Sequence, residues 1–115
     1  MPDRIAVYGT LRAGAAAWHL LAPHVTGPGE ATWLPGKLYD TGHGYPALKL
    51  GGDSRVPVEV FRLRDPATAL PLLDEYEGPE YERRSVPLGG RPCWVYLWLG
   101  PVDGMRPLHR GWPLE

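Results

Sequence analysis

Two stretches of the chain carry residue types that could do chemistry. The first is Gly9-Thr10-Leu11-Arg12-Ala13-Gly14, a loop bracketed by glycines. It follows Arg4-Ile5-Ala6-Val7-Tyr8, which is rich in strand formers, and precedes the alanine- and leucine-rich segment Ala15 to Ala22, which reads as a short helix ahead of Pro23. A loop between a strand end and a helix start presents unpaired backbone N–H groups, and those can hold a carboxylate without any arginine. Arg12 falls after the bend and is expected to face solvent. Read alone, the loop is first of all a tight strand-to-helix connection. The second stretch is acidic: Asp74, Glu75, Glu77, Glu80 and Glu82, with Arg83 and Arg84 directly behind. Most of these acids read as a solvated helix end with surface charge pairs of small energetic worth. Glu77 differs in kind. It ends the helix beside Gly78, with Tyr76 and Tyr81 on either side. A carboxylate there lies at the wrong end of the helix dipole, and aromatic burial adds to the effect; both raise its pKa. A general base working near neutral pH needs that shift. On position alone, an ordinary surface acid is still the plainer reading.

Other chemistries find little support. The histidines are His19, His24, His43 and His109, and none forms a helical His-x3-His pair. With a single cysteine there is no Cys pair either, so no metal site is expected. Cys93 lies in the apolar run Cys93-Trp94-Val95-Tyr96-Leu97-Trp98-Leu99 and reads as a structural core thiol rather than a nucleophile. Nothing points to an oxidising compartment. Ser54 and Ser85 lack a nucleophile elbow, and the 9–14 loop lacks the Lys-Ser/Thr ending of a nucleoside-triphosphate loop. The 12 basic and 13 acidic residues leave a net charge of -1, which gives no electrostatic reason to seek nucleic acid or an anionic membrane. No run approaches the ~20 apolar residues of a membrane span. The N-terminal residues lack the basic-then-apolar signal pattern. A cytoplasmic location is expected.

The elements that must position the two stretches follow from the punctuation. The 15 glycines and 14 prolines imply many turns and short helices. Residues 30–40 and 45–50 read as strands around the turn Asp40-Thr41-Gly42-His43-Gly44. Val56 to Leu63 is a further strand; Val56, Val58 and Val60 alternate, and Phe61 and Leu63 break the phase, which suggests a bulge. Asp65-Pro66 opens a helix with an N-cap acceptor and a proline at the first position. Leu70, Leu73 and Tyr76 form its stripe, Gly78 stops it, and Pro71 should kink it or shift its start. Tyr81 to Leu88 and Cys93 to Leu99 are two more strands; the second is apolar on both faces and therefore central. The tail from Pro101 on has no period. At 115 residues the chain is one domain, 1–115. The expected fold class is α+β: a small mixed β-barrel with short flanking helices.

Taken together, Val7-Tyr8-Gly9-Thr10-Leu11-Arg12-x-Gly14 and Leu73-Asp74-Glu75-Tyr76-Glu77-Gly78 resemble the Tyr-Gly-Ser/Thr-Leu and Leu-Asp-x-x-Glu segments of the γ-glutamylcyclotransferase-like superfamily. Gly36-Lys37-Leu38-Tyr39-Asp40, Tyr45-Pro46-Ala47-Leu48, Tyr81-x-Arg83 and Trp94-Val95-Tyr96-Leu97 are further echoes, in the family's order, over residues 5–99. Val58-Glu59 stands where many small members have Gly-Glu, a departure that concerns the barrel wall.

The resemblance implies a mixed barrel with a pocket at one end. In it Tyr8, Gly9, Thr10 and Leu11 would hold the α-amino-acid head of a γ-glutamyl group, and Glu77 would be the catalytic acid/base, with Tyr81 as a further pocket residue. It implies an enzyme of the lyase or transferase type that releases 5-oxoproline and a free amine from a γ-glutamyl amide. No cofactor and no metal would take part, and the partner would be that small molecule, on a monomer or weak homodimer. The alternative is a non-catalytic module that binds a γ-glutamyl or amino-acid-like ligand; a docking protein using the five tryptophans is a third class. No residue reads the leaving amine.

Overall fold

The computed structural model describes residues 2–113. Six strands form one curled sheet: β1 (Arg4–Val7), β2 (Val25–Asp40), β3 (Pro46–Leu63), β4 (Tyr81–Leu88), β5 (Arg91–Trp98) and β6 (Arg106–Pro107), in the spatial order β4-β5-β1-β3-β2-β6. Every pairing is antiparallel except β1 with β5, which run parallel. Two helices, α1 (Trp18–Leu21) and α2 (Pro66–Glu77), complete a half-barrel of mixed α+β type.

Period-2 alternation assigns each strand's two faces to different cores. From β1 and the residue that follows it, Ala6 and Tyr8 enter one cluster, Ile5 and Val7 the other. From β5, Cys93, Val95 and Leu97 join Leu34, Leu38, Leu48, Val56, Val58 and Val60 inside the curl. Tyr96, with Trp94 against it, faces α1 and α2 along with Phe61, Leu63, Ala69, Leu70 and Leu73. The central position of β5 expected from its two apolar faces is therefore observed. Cys93 is free and buried among these apolar residues, which pushes its thiol pKa up.

Several local expectations are corrected. The segments 45–50 and 56–63 are one strand, β3, paired with β2 from end to end. The apparent gap is an irregularity: Pro35 pairs with Arg55 but Gly36 pairs with Leu50, so Gly51 to Ser54 bulge outward. Phe61 and Leu63 do not shift phase in their own strand, because Ile5 to Phe61 and Ala6 to Val60 are in continuous register with β1. They point to the helix side, where the Trp18 ring packs 4.9 Å from Phe61; the bulge at that level lies in β2, between Thr26 and Glu30. The helix expected over Ala15 to Ala22 is one turn of α-helix at Trp18–Leu21 and a 3-10 turn at Ala22–His24.

Helix α2 runs through Pro71 without a break. The Asp65 side chain does not cap a backbone N–H; it accepts from the Thr68 hydroxyl at 2.7 Å, while its carbonyl takes the N–H groups of Thr68 and Ala69. The buried stripe is Ala69, Leu70 and Leu73, and Tyr76 is at the rim. The tail is more ordered than its lack of period suggests. Arg106–Pro107 pairs with Tyr39 and Asp40, the Leu108 N–H donates to the Leu38 carbonyl, and Leu108 and Trp112 pack on the inner core. No helix among the described residues is long and apolar enough to cross a membrane.

Candidate functional site

Helix α2 must stop where it does to present Glu77. Gly78, at φ 80° and ψ -176°, takes an extended positive-φ conformation open essentially to glycine alone, and its N–H closes on the Asp74 carbonyl at 3.0 Å. Asp74 fixes the same turn from below. Its carboxylate receives Arg83 through both Nε (2.8 Å) and Nη2 (3.1 Å), and the Tyr96 hydroxyl donates to it at 2.7 Å. The Arg83 guanidinium in turn lies 4.3 Å from the centre of the Trp94 ring. Burial works to raise the Asp74 pKa, but the bonds from Arg83 and Tyr96 outweigh it and hold it low. Asp74 thus stays charged and ties the last turn of α2 to β4 and β5.

Glu77 stands in the opposite condition. Among the described residues no hydrogen bond or ion pair engages its carboxylate. It lines a small cleft of about 20 Å³, together with Tyr8, Gly9, Thr10, Leu11, Tyr45, Pro46, Tyr81 and Tyr96. Burial without a compensating cation raises its pKa from 4.5 to about 7. Tyr8 and Tyr81 hold their protons well above the usual phenol range, first through burial and then through the nearby Glu77. Their hydroxyls are committed elsewhere: Tyr8 donates to the Tyr96 carbonyl at 2.7 Å and Tyr81 to the Pro46 carbonyl at 2.6 Å. They wall the cleft and keep water from Glu77 rather than neutralise it.

The loop after β1 faces this carboxyl group. The Tyr8 and Leu11 side chains are buried in the two cores, which pins the loop at both ends. Between and behind those anchors the backbone is exposed to the cleft. No hydrogen bond among the described residues uses the N–H of Gly9, Thr10 or Leu11, whereas the N–H groups of Arg12, Ala13, Ala15 and Ala17 are all satisfied. Three consecutive residues of the cleft lining thus carry unengaged N–H groups, the kind of donor with which a backbone can hold an anion. Gly9 is required there by close approach: a Cβ would come within 2.9 Å of Pro46 Cγ. Its φ is not in the left-handed region.

Arg12 is not the solvent-facing residue expected. Its Nε donates to the Gly9 carbonyl at 2.9 Å and its Nη2 to the Trp112 carbonyl, so it straps the loop to the C-terminal segment. The cleft brings together Tyr8, Gly9, Thr10, Leu11, Glu77 and Tyr81. It also includes Tyr45, Pro46 and Tyr96, to which sequence reasoning assigns no role. For Tyr45-Pro46 the available signal was its place in a motif; Tyr96 was hidden inside an apolar strand. No group of three or more His, Cys, Asp or Glu residues among those described could hold a metal ion.

The sequence and the curled mixed sheet both have relatives among known proteins. The family model "Gamma-glutamyl cyclotransferase, AIG2-like" matches residues 5–113, and the chain belongs to that family. It is 35% identical over 112 residues to the γ-glutamylcyclotransferase family protein YtfP of Escherichia coli K12, covering 94% of this chain and 93% of YtfP. The solution structure of YtfP from Escherichia coli superposes with a TM-score of 0.65 at 28% identity, covering 97% of this chain and 96% of that one. The protein PH0828 of Pyrococcus horikoshii shares the fold, with a TM-score of 0.74 at 23% identity over 92% of this chain and 85% of that one.

Proposed function

We propose that the chain is a cyclotransferase that releases 5-oxoproline and a free amine from a γ-glutamyl amide, with Glu77 as general acid/base. The observation that carries this reading is the unpaired Glu77 carboxyl, poised at about 7, across one cleft from the free N–H groups of Gly9, Thr10 and Leu11. The family name and the relative YtfP support the reaction class.

The substrate brings both reactants. Its α-amine and its γ-carbonyl are in one molecule, so a five-membered ring closes with little further loss of entropy once the chain is curled. The loop N–H groups hold the α-carboxylate. Glu77 takes a proton from the α-ammonium. The α-ammonium, beside its own free carboxylate, is more basic than a peptide N-terminus, and a carboxyl raised to about 7 stands much nearer to it than an ordinary carboxylate does. The freed amine attacks the γ-carbonyl carbon, forming the ring C–N bond. The resulting carboxylic acid gives its proton to the departing nitrogen as the amide C–N bond breaks, and the carboxylate so restored relays the ring nitrogen's surplus proton to the released amine, leaving a neutral lactam and an ammonium ion. No cofactor is required, and Glu77 ends as it began.

A binding module would be best served by a fully ionised carboxylate against the ligand's α-ammonium, and the burial that moves Glu77 to about 7 works against that use. The test is substrate form. A γ-glutamyl amide with a free α-amine should yield 5-oxoproline, while its N-acetyl derivative and its α-linked isomer should be inert. Release of N-acetylglutamate from the N-acetyl compound would mean an ordinary amidase and overturn the proposal.

A further inference from the structure

Beyond Thr10 the cleft continues into an open groove between the 14–16 turn and the C-terminal segment. Thr10 lines both the cleft and the groove, and Ala15, Ala16, Gly44 and Trp112 are among the groove's other walls. Among the described residues no charged side chain lines it. At Gly14 and Gly44 a Cβ would meet nothing within 4 Å, so the space in front of both is open. The Trp112 wall is fixed in two ways: its ring packs on the inner core, and its carbonyl is held by Arg12, whose other donor holds the Gly9 carbonyl of the head-binding loop. One guanidinium thus sets the distance between the groove's wall and the cradle.

We propose that this groove is the leaving-group subsite, that Trp112 is its specificity-determining residue, and that the preferred substrate is a γ-glutamyl amide of an uncharged apolar amine, aromatic or aliphatic. The inference rests on the cyclotransferase reading of the cleft. An apolar group laid over Ala15, Ala16 and Trp112 loses water from a surface that offers it no competing charge. A cationic amine finds no anion there. Carboxylates occur around the groove but not on its lining: Glu59 is taken up by the Ala13 N–H, Glu80 accepts from the Tyr45 hydroxyl, and Asp74 and Glu75 stand on the opposite flank, past Tyr81 and Tyr96, with Asp74 already paired with Arg83. The leaving nitrogen accepts the proton from Glu77 at the cleft, and the apolar body of the amine departs through the groove.

The test compares kcat/KM for γ-glutamyl benzylamide, γ-glutamyl methylamide and γ-glutamyl 4-aminobutylamide, followed by 5-oxoproline release. The benzylamide should exceed the methylamide by about tenfold or more, the worth of burying a ring's apolar surface, and should exceed the 4-aminobutylamide as well. Trp112→Ala should cut the benzylamide-to-methylamide ratio to near one. Because Trp112 packs on the core, Ala16→Asp serves as a second variant on an exposed position; it should move preference from the benzylamide toward the 4-aminobutylamide. Turnover with a preference for the cationic amide in the unmodified protein, or ratios untouched by both substitutions, overturns the subsite and leaves the cyclotransferase reading standing. Absence of 5-oxoproline from all three amides overturns both.

Discussion

The Tyr76 hydroxyl lies 2.9 Å from Oγ1 of Thr10, so the residue before the proposed base is joined to the loop that faces it. The pair is exposed, and either oxygen can donate. An exposed neutral hydrogen bond is worth only about 1 kcal/mol. Thr10→Ala and Tyr76→Phe should therefore each lower kcat/KM by no more than about tenfold, and the double variant should be no worse than either alone. A hundredfold loss in Thr10→Ala, with Tyr76→Phe unaffected, would mean that the Thr10 hydroxyl itself contacts substrate.

Burial of Glu77 makes a two-part prediction about pH. The base must be ionised, so kcat/KM should rise with pH and level off above about 7, not above 5 as for an ordinary carboxylate. Stability should move the other way. Between 4.5 and about 7 the folded protein holds a proton that the unfolded chain has released, so stability falls as pH rises through that window. The loss is on the order of 3 kcal/mol. Glu77→Gln should remove that fall and be the more stable protein at pH 8. Urea midpoints for both proteins from pH 4 to 8 decide it, and parallel curves would refute the shift.

Gly9 is excluded from carrying a side chain by Pro46, whose Cγ and Cδ stand 2.9 and 3.0 Å from where a Cβ would be. Gly9→Ala should lower kcat/KM by about tenfold or more, since a displacement of the loop tilts the N–H groups out of line. Removing the obstructing ring in a Gly9→Ala/Pro46→Ala double variant should restore part of the loss. Lack of any recovery, with an unchanged melting temperature, would show that the backbone and not the Pro46 contact demands glycine.

Arg12 is predicted to matter through geometry. Arg12→Ala frees the Gly9 and Trp112 carbonyls together. Hydrogen bonds from a charged donor are worth about 1.5–3 kcal/mol each, so kcat/KM should drop by at least about tenfold, carried mainly by KM. The pH at which activity levels off should remain that of Glu77. Arg12→Lys should recover little, because one ammonium cannot reproduce the fork that spans two carbonyls. A variant with KM unchanged and a shifted pH profile would assign Arg12 to the base instead of the loop.

The site was more legible in the sequence than the sheet that carries it. Gly9 and Gly78 announced a loop and a helix stop, and the short-range motifs around them survived into the structure. Glu77 was singled out because a helix end, a glycine and two tyrosines are all local in sequence. Long-range pairings were not legible in that way. Nothing near Gly51 says that β3 continues through it, because the decision is made by β2, which pairs on both sides of the bulge. Arg12 looked solvated because its acceptor at Trp112 lies 100 residues on. Asp74 looked like one more acid in a charged run until Arg83 and Tyr96 were placed around it. The β6 pairing of Arg106–Pro107 has no periodic pattern to betray it at two residues' length.

The most direct measurement is 5-oxoproline release from a γ-glutamyl amide by Glu77→Gln, set beside Glu75→Gln. Glutamine keeps the shape of the side chain and cannot take the proton. Glu77→Gln should turn over at least about 100-fold more slowly, while Glu75→Gln, on an exposed position of the same turn, should match the unmodified protein. Normal turnover by Glu77→Gln, or loss of activity in Glu75→Gln alone, would contradict the assignment of Glu77 as the acid/base.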